Sequence, residues 1–497
     1  MRWSVLAAAL GLPSAPEAVR EAEVTAITYD SRHVGEGAVF VAIPGAHQDG
    51  HQFVETALAR GAVIAVVGHQ PAGGDLDRLV VVGDVRAALA KLAATFYGRP
   101  SDSVPVVGVT GTDGKTTTTT MLQAALAATL GTVGSLSTVD FRIGEVIEPN
   151  LSWHTTLEAV EVQAMLRRMV DQGCQAVVLE STSHGLALQR VGEVRFAGAV
   201  YTSITRDHLD FHSTWEAYFE AKASLLERTV STGGFAVLNL DDHRAYPSLL
   251  KRAGRRRMSY SANGVESAEL WASQVMPEPA ALVFTAHTPA GDARVRLATE
   301  GRWNVANALA AVGAGLLLDQ PLPELVEGLG RFRPVAGRME RVELGQAFTV
   351  IVDYAHTPAA LNLVLHDLRS MTPGRLWVVF GTPGERDVTN RPEMGRIASQ
   401  VADQVVVSTD DSRSEDPEMI IDQIWAGAVE AGGVPEETLH RRADRDQAIR
   451  LAVSSAVPGD TVLLAGMGHE ASMFGADGPR PWSDRAAAEE AIRDRLG

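Results

Sequence analysis

The chain has 497 residues, with 44 Lys and Arg against 61 Asp and Glu, which gives a net charge of −17. Hydrophobic residues make up 45% and charged residues 21%, the usual balance of a globular protein, so wholesale disorder is excluded. An acidic chain is not expected to coat nucleic acid or an anionic membrane, and there is no apolar run of about 18 residues that could span a bilayer. At about 150 residues per domain, the length suggests about three domains.

The single cysteine, Cys174, excludes an intrachain disulfide and a cysteine-based metal site. We expect it to be a buried packing residue in a reducing cytoplasm. The apolar stretch from Met1 to Leu12 is either a signal peptide or a short helix. We favour the helix, because the run is short and ends at Pro13 without a clear cleavage site, and we therefore expect a cytoplasmic protein.

Two segments rich in Gly, Pro, Ser and Arg, at 98–103 and 331–338, are typical of linkers. They predict domains at 1–98, 99–333 and 334–497. Short apolar runs alternate with helical stretches in the last two domains, which predicts α/β domains with parallel sheets covered by helices on both faces. The predicted strands are 106–110, 176–180, 198–204, 235–240, 349–354, 376–380, 404–408 and 461–465. The first domain is predicted to be mixed α/β.

A glycine-rich segment, Gly-Thr-Asp-Gly-Lys-Thr at 111–116, follows the strand that ends at Thr110 and precedes a helical pattern. Glycines let backbone N–H groups turn toward phosphate oxygens, and a helix N-terminus adds partial positive charge. Lys115 would reach the β- and γ-phosphates of ATP, and Thr116 would hold Mg²⁺. The loop departs from the common phosphate-loop form, since Val109 stands at the first glycine position.

Three candidate metal ligands follow strands of the middle domain: Thr116, Glu180 and His208. The carboxyl ends of parallel strands meet at one edge of a sheet, where ligands usually bind. Oxygen and nitrogen ligands at such an edge would suit Mg²⁺ together with phosphates and water.

The segment at 111–116 resembles the signature of the Mur ligase family, the ATP-dependent amide ligases of peptidoglycan precursor synthesis. The resemblance implies a UDP-binding N-terminal domain, a central P-loop-type ATPase domain and a C-terminal Rossmann-like domain. It implies Mg²⁺ at Thr116, Glu180 and His208, and a carbamylated lysine at Lys222, for which a solvated helix lysine is the alternative. Lys115, Lys222 and His208 are the implied catalytic residues. The implied ATP-binding residues are Gly111, Thr112, Asp113, Gly114, Lys115, Thr116, Thr117, Asn304, Arg338, Asp353 and His356.

Other motifs resemble the branch of the family that adds the third residue of the stem peptide. The resemblance implies that UDP-MurNAc-L-Ala-D-Glu contacts Ser31, His47, Gln48, Thr155, Thr156, Ser183 and Arg190. The fork of Arg190 suits an anionic substrate. The implied amino-acid-binding residues are Arg391, Asp410, Asp411, Arg413, Gly466 and Glu470.

The incoming amino acid is predicted from one departure. Family members that add meso-diaminopimelate usually read Asp-Asn-Pro-Arg where this chain has Asp410, Asp411, Ser412 and Arg413. An acid at Asp411 would repel the distal carboxylate of diaminopimelate and attract a distal amine, by about 1–4 kcal/mol at contact. This favours L-lysine or L-ornithine, whereas Arg413 favours diaminopimelate, and Asp411 could instead neutralise Arg413. Thr382, Pro383 and Met467 also depart from the family pattern, and they either retune specificity or weaken amino acid binding.

These resemblances together predict a monomeric ligase that forms an acyl phosphate with ATP and Mg²⁺ and serves cell wall biogenesis, cell shape and cell division. The alternatives are a Mur-type ligase with a different acceptor and a catalytically silent nucleotide-binding scaffold. A folylpolyglutamate synthetase is disfavoured by the UDP-type motifs of the first domain.

Overall fold

Three β-sheets follow one another along the chain in the computed structural model, which describes residues 1–12, 19–45, 48–70, 76–152, 154–278 and 280–497. The first sheet has the all-parallel order β1-β2-β3-β4. The apolar N-terminal stretch forms a helix, as we predicted, and Trp3 and Leu6 are buried against this sheet. The elements of this part are α1 Trp3–Ala9, β1 Ala26–Thr28, β2 Ala38–Val41, α2 Val54–Ala59, β3 Ile64–Val67, β4 Leu79–Val81 and α3 Val85–Phe96, with short 3₁₀ helices at Ser31–His33, Gly50–Phe53, Leu76–Arg78 and Pro100–Asp102.

The central sheet has the order β15-β14-β13-β12-β11-β10-β5-β9-β6-β7-β8. Its strands are β5 Val106–Thr110, β6 Val133–Leu136, β7 Asp140–Ile143, β8 Val146–Pro149, β9 Ala176–Glu180, β10 Phe196–Tyr201, β11 Phe235–Asn239, β12 Arg257–Ser261, β13 Leu270–Glu278, β14 Ala281–Thr288 and β15 Gly291–Leu297. Its helices are α4 Lys115–Leu130, α5 Ala159–Asp171, α6 Ser183–Ala187, α7 Leu209–His212, α8 Trp215–Ser231, α9 Tyr246–Arg252, α10 Asn304–Leu317 and α11 Leu322–Gly330.

The middle of this sheet is parallel, as the alternation of strands and helices predicts, but both of its margins are antiparallel. Strands β6, β7 and β8 form one antiparallel margin, and β13, β14 and β15 form the other. A wholly parallel sheet is therefore wrong for this domain. Short turns join these strands, and a turn of that length can connect only antiparallel neighbours.

The predicted strand at 198–204 ends earlier, at Tyr201, because the next residues turn away to hold the glycine-rich loop. The Thr202 hydroxyl donates to the carbonyl of Asp113 at 2.6 Å, and the Ser203 carbonyl accepts from the backbone N–H of Thr112. The apolar run continues past the strand, so its length alone overstates the pairing.

The third sheet has the order β16-β17-β21-β18-β19-β20 and is parallel except for β16. A separate hairpin, β22–β23, follows it. The elements are β16 Glu340–Arg341, β17 Thr349–Asp353, α12 Pro358–Met371, β18 Leu376–Phe380, α13 Asn390–Val401, β19 Gln404–Val407, α14 Pro417–Glu430, β20 Leu439–Arg441, α15 Arg445–Ser455, β21 Thr461–Ala465, β22 Ser472–Gly475, β23 Gly478–Pro481 and α16 Asp484–Leu496.

Apolar side chains fill both faces of the central and C-terminal sheets. Cys174 is buried before β9 and burial raises the pKa of its thiol, in agreement with the predicted packing role. Across the described ranges of the chain, no helix is both long and apolar enough to cross a lipid bilayer.

Candidate active site

The glycine-rich loop joins β5 to α4 and is packed tightly from both sides. A Cβ at Gly111 would lie 1.8 Å from Thr202 Oγ1, and a Cβ at Gly114, where φ is +82°, would lie 2.4 Å from Asn307 Oδ1. Only glycine fits at these two positions. Lys115 turns back on the loop, and its Nζ donates to the carbonyl of Thr112 at 2.7 Å. The loop therefore has the tight backbone and the nearby lysine that suit a phosphate group.

Glu180 ends β9, is fully buried and accepts hydrogen bonds from two threonines. Thr116 Oγ1 donates to it at 3.1 Å, while the backbone N–H and Oγ1 of Thr138 donate at 2.9 and 3.0 Å. Thr116 and Glu180, both predicted metal ligands, are therefore in direct contact. Thr138 was missed, because a threonine in a turn after β6 carries no recognisable pattern.

Lys222 projects from α8 and is 1% exposed, so the solvated-lysine alternative is wrong. Its Nζ donates to the carbonyl of Gly111 at 2.6 Å and lies 4.5 Å from the centre of the Tyr218 ring. Burial, reinforced by the charge of Lys115, holds the pKa of Lys222 well below its usual value. The amine thus sits at the phosphate loop in an environment that favours its neutral form.

His208 lies in a loop after β10 and has a left-handed backbone, with φ of +52°. Its backbone N–H donates to Asp207 at 2.8 Å, and its Nε2 lies 3.2 Å from the second Asp207 oxygen. Burial lowers the pKa of His208 to about 3, although Asp207 opposes the shift. The imidazole ring also packs edge-on against His184, with ring centres 4.7 Å apart. His184 and its neighbours Phe211 and His212 were not singled out from the sequence.

The predicted metal ligands are donors of the right chemistry, a hydroxyl, a carboxylate and a neutral imidazole. Within the described ranges, no three His, Cys, Asp or Glu side chains are grouped closely enough to hold a metal ion. Thr116 and Glu180, which lie in contact, are ligand types that Mg²⁺ takes together with phosphate and water.

Asn304 begins α10 and is linked to the phosphate loop through Asn307. Asn307 Nδ2 donates to Asn304 Oδ1 at 2.9 Å, and Thr118 Oγ1 donates to Asn307 Oδ1 at 3.2 Å. Asn307 was missed as a site residue, although its spacing of three from Asn304 places both on one helix face. The two asparagines connect Asn304, a predicted ATP-binding residue, to Gly114.

The C-terminal domain contributes Arg338, Asp353 and His356 next to this loop. The buried Asp353 carboxylate accepts from the backbone N–H groups of Met339 and Ala355 at 2.8 and 2.9 Å, which shapes the loop that carries Arg338. Burial raises the pKa of Asp113 in the phosphate loop, while the charges of Lys115, His356 and Arg338 oppose that shift. Residues from both domains therefore face Asp113.

Two ion pairs join the His208 loop to the C-terminal domain. Arg206 lies 3.1 Å from Asp387, and Arg386 lies 3.5 Å from Asp210. Each domain supplies one arginine and one aspartate, so the contact is reciprocal. It holds the predicted catalytic loop against the loop that precedes Arg391.

The residues predicted to contact the UDP-linked acceptor fall into two groups. Ser31 begins the 3₁₀ helix after β1, Gln48 lies in the loop after β2, and His47 lies outside the described residues. Tyr29, next to that first group, donates to Glu161 of α5 at 3.0 Å, which links the first sheet to the central domain. The second group lies beside Glu180 and comprises Thr155, Thr156, Ser183 and Arg190.

The guanidinium of Arg190, which was predicted to bind an anionic substrate, is already engaged by other residues of the protein. Its Nε lies 2.8 Å from Glu158, and one terminal nitrogen donates to the carbonyl of Thr156 at 3.0 Å. Ser183 Oγ, in contrast, is buried with no hydrogen-bond partner among the described residues. Thr155 Oγ1 lies 3.0 Å from Thr138 Oγ1, so this group borders the environment of Glu180 directly.

Among the predicted amino-acid-binding residues, Arg391 lies in the first turn of α13, and the others lie in the loops after β19 and β21. A Cβ at Gly466 would lie 2.6 Å from Asp410 Oδ2, an oxygen with no hydrogen-bond partner in the described chain. Asp411 accepts from the backbone N–H of Phe474 at 2.8 Å, and burial raises its pKa to about 6. Burial and the two aspartates raise the pKa of Glu470 to about 8.

Two arginines of this region are engaged with other side chains. Arg391 is 1% exposed and makes a two-pronged contact with Glu415 at 2.8 and 2.9 Å, with a further bond to Gln423. Arg413 pairs with Glu385 at 3.9 Å, so its nearest acidic partner is not Asp411. The idea that Asp411 serves to neutralise Arg413 is thus not supported by a direct contact.

Arg445 lies beneath these loops and was not identified from the sequence. It is fully buried against Asp484, at 2.6 and 2.7 Å, and donates to the carbonyls of Thr409 and Ala465. Those carbonyls directly precede Asp410 and Gly466. Met467 and Thr382, two of the departures from the family pattern, are buried in the same region.

Family models match all three parts of the chain. Residues 23–97 match the description "Mur ligase family, catalytic domain", 109–315 match "Mur ligase middle domain", and 337–468 match "Mur ligase, glutamate ligase domain". The matches define the class of protein, a three-domain ATP-dependent ligase. The chain belongs to the Mur ligase family.

Similar proteins span nearly its whole length. It is 43% identical to the UDP-N-acetylmuramyl-tripeptide synthetase of Roseiflexus sp. (strain RS-1), over 95% of both chains. It is 39% identical to the UDP-N-acetylmuramoyl-L-alanyl-D-glutamate--2,6-diaminopimelate ligase of Trichormus variabilis, over 99% of this chain and 98% of that one. A solved diaminopimelate ligase of the same description superimposes with a TM-score of 0.65 at 30% identity, over 95% of this chain and 96% of that one.

Proposed function

We propose that this ligase adds the third amino acid to UDP-MurNAc-L-Ala-D-Glu, a step of peptidoglycan precursor synthesis, and that the amino acid is L-lysine or L-ornithine. The relatives named as tripeptide synthetase and as diaminopimelate ligase support an acceptor of this kind. The contact of Thr116 with Glu180 at the phosphate loop carries the catalytic part of the proposal.

ATP would bind along residues 111–117, with its adenine toward Asn304 and its phosphates toward Lys115. Lys115 would leave the carbonyl of Thr112 and neutralise charge on the transferring phosphoryl group. Thr116, Glu180 and His208 would hold Mg²⁺, whose positive charge supports phosphoryl transfer. Arg338, Asp353 and His356 would complete the nucleotide site from the C-terminal domain.

Lys222 would act as a carbamate. A neutral, buried amine can attack CO₂, so that an N–C bond forms and one proton is released. The product is an anion, whereas the unmodified side chain carries no negative charge. Removing CO₂ from the buffer should lower the turnover of the wild-type enzyme, and bicarbonate should restore it. A Lys222→Met variant should be slow and should not respond to bicarbonate.

The D-glutamate γ-carboxylate would attack the γ-phosphorus, so that a C–O–P bond forms and the bond to ADP breaks. The amine of the incoming amino acid would then attack the acyl carbon, and phosphate would leave as the amide forms. Thr155, Thr156, Ser183 and Arg190 border Glu180 and would hold the dipeptide end of the acceptor. Closure of the domains would exclude the water that wastes the intermediate.

The charge of the amino acid pocket supports a basic amino acid. Asp410, Asp411 and Glu470 lie close enough that each aspartate raises the pKa of the glutamate, whereas Arg413 is drawn toward Glu385. A distal ammonium group would relieve this repulsion, and a distal carboxylate would add to it. Arg413 supports the second candidate, meso-diaminopimelate, because a swing away from Glu385 would free its guanidinium.

The test is phosphate release from ATP with Mg²⁺ and UDP-MurNAc-L-Ala-D-Glu, adding L-lysine, L-ornithine or meso-diaminopimelate in turn. Release with a basic amino acid alone supports the full proposal. Release only with meso-diaminopimelate supports the ligase activity and rejects the preference for a basic amino acid that was argued from Asp411. If all three are silent, a different acceptor or a scaffold role gains weight. Lys115→Ala is the control, since it should abolish release while the fold persists.

A further inference from the structure

Tyr354 follows β17 and contacts both halves of the candidate active site. The guanidinium carbon of Arg338 lies 4.3 Å from the centre of its ring, and its hydroxyl donates to Glu470 Oε1 at 3.0 Å. Arg338 belongs to the proposed nucleotide site and Glu470 to the proposed amino acid site. The side chain of Tyr354 is therefore a direct physical link between them.

The surroundings of this ring leave little freedom for it to move. His356 and His469 pack against it, with ring centres 4.5 and 5.1 Å away. Gly468 lies so close that a Cβ there would be 2.7 Å from Tyr354 Cβ, and a Cβ at Gly337 would be 2.1 Å from the backbone nitrogen of His469. A shift of the Arg338 loop would therefore be passed to the Glu470 loop, because packed groups this close move together.

We propose that Tyr354 is a positioning residue, which holds the Glu470 carboxylate toward the amine of the incoming amino acid when Arg338 engages the nucleotide. This inference rests on the function proposed above. Arg338 lies over the ring, and the direction of the ring sets where the hydroxyl can donate. With one oxygen of Glu470 held by Tyr354, the other is left for the substrate.

The electrostatics of Glu470 give the inference a second readout. Burial is the main reason that its pKa is raised, and the Tyr354 hydroxyl lowers that pKa by stabilising the ionised form. The other charged groups that face Glu470 are Asp410, Asp411, Arg413 and Arg445. Loss of the Tyr354 hydroxyl should therefore raise the pKa of Glu470 further, and ionised Glu470 would form only at a higher pH.

The experiment compares wild type with Tyr354→Phe, which keeps the ring beneath Arg338 and removes only the hydroxyl. We expect KM for the amino acid to rise roughly tenfold, the loss typical of one hydrogen bond to a charged group. KM for ATP should stay within about twofold of wild type, in keeping with an unchanged cation–π contact. The rise of kcat/KM for the amino acid with pH should move to higher pH.

A second variant, Tyr354→Leu, also removes the ring and should raise KM for ATP as well. Thermal unfolding of both variants checks the fold independently of turnover. An unchanged amino acid KM and pH profile in Tyr354→Phe would overturn the inference, as would equal losses for ATP and the amino acid. If the wild-type enzyme releases no phosphate with any amino acid, the proposed function itself is overturned. This outcome differs from those that overturn only the role of Tyr354.

Discussion

Thr116 Oγ1 lies 3.1 Å from Glu180 Oε1, although 64 residues separate them along the chain. The bond joins the first turn of α4, which begins at the phosphate loop, to the end of the neighbouring parallel strand β9. It brings together the hydroxyl and the carboxylate that a phosphate-bound cation would need.

Replacement of this carboxylate should therefore stop the chemistry rather than the folding. In Glu180→Gln we expect kcat for phosphate release to fall at least about 100-fold, because a neutral amide cannot balance the charge of the cation. The amide can still accept from Thr116. Thermal unfolding should show a modest change. Glu148→Gln, on the exposed strand β8, is the matched control and should keep wild-type turnover; an equal loss there would contradict the assignment.

The pairing of Arg206 with Asp387 predicts a measurable coupling between two domains. Arg206→Ala and Asp387→Ala should each reduce kcat/KM severalfold, and the double variant should be no worse than either one, because both remove the same contact. More than half of the Arg206 side chain is exposed, so the coupling energy should be small, about 0.2–1 kcal/mol, and should weaken with added salt. Strictly additive losses would show that the pair does not act as a unit.

The buried pair of Arg445 and Asp484 predicts a loss of stability. Asp484→Asn should leave an uncompensated guanidinium in the core and lower the free energy of unfolding by about 3–5 kcal/mol. The midpoint of urea unfolding, followed by tryptophan fluorescence, measures this change. Arg450→Ala removes a partly exposed arginine that also has acidic partners and should change the midpoint much less. Equal midpoints for the two variants would argue against a special role for the buried pair.

Glu470 predicts a dependence of stability on pH. Burial raises its pKa from 4.5 to about 8, so the folded state binds a proton that the unfolded state has lost between these values. The contribution of this group to stability is thus full below about 4.5 and falls as the pH rises toward 8. Glu470→Gln should match wild type in melting temperature at pH 5 and exceed it at pH 8. If the difference in melting temperature between the variant and wild type is the same at pH 5 and pH 8, the raised pKa of Glu470 is contradicted.

Local patterns in the sequence predict the strands and the phosphate loop well, since β5, β9, β18 and β21 have the predicted bounds. The sequence gives no comparable signal for contacts between distant residues. The pairing of Arg190 with Glu158 and of Arg391 with Glu415 depends on how loops meet in space, and neither pair has a spacing that marks it. The antiparallel margins of the central sheet were missed for the same reason, because pairing direction depends on neighbours along the sheet.

Within the candidate site, sequence patterns predict residue types that carry chemistry, but they do not point to the residues that hold these side chains in place. Lys115, Glu180 and His208 follow strand ends and can be found by that rule. Thr138, Asn307 and Arg445 act through hydrogen bonds to other residues, so their roles become visible only from the contacts.

Because the sequence has a single cysteine, the reactivity of its thiol can report on local opening of the folded chain. Cys174 is buried immediately before β9, the strand that ends in Glu180, and the raised pKa of its thiol further lowers its reactivity. A thiol reagent has one point of attack along the whole polypeptide, and it must wait for that part of the central sheet to open. The rate of Cys174 alkylation therefore measures local opening at the start of β9, the strand that ends in Glu180.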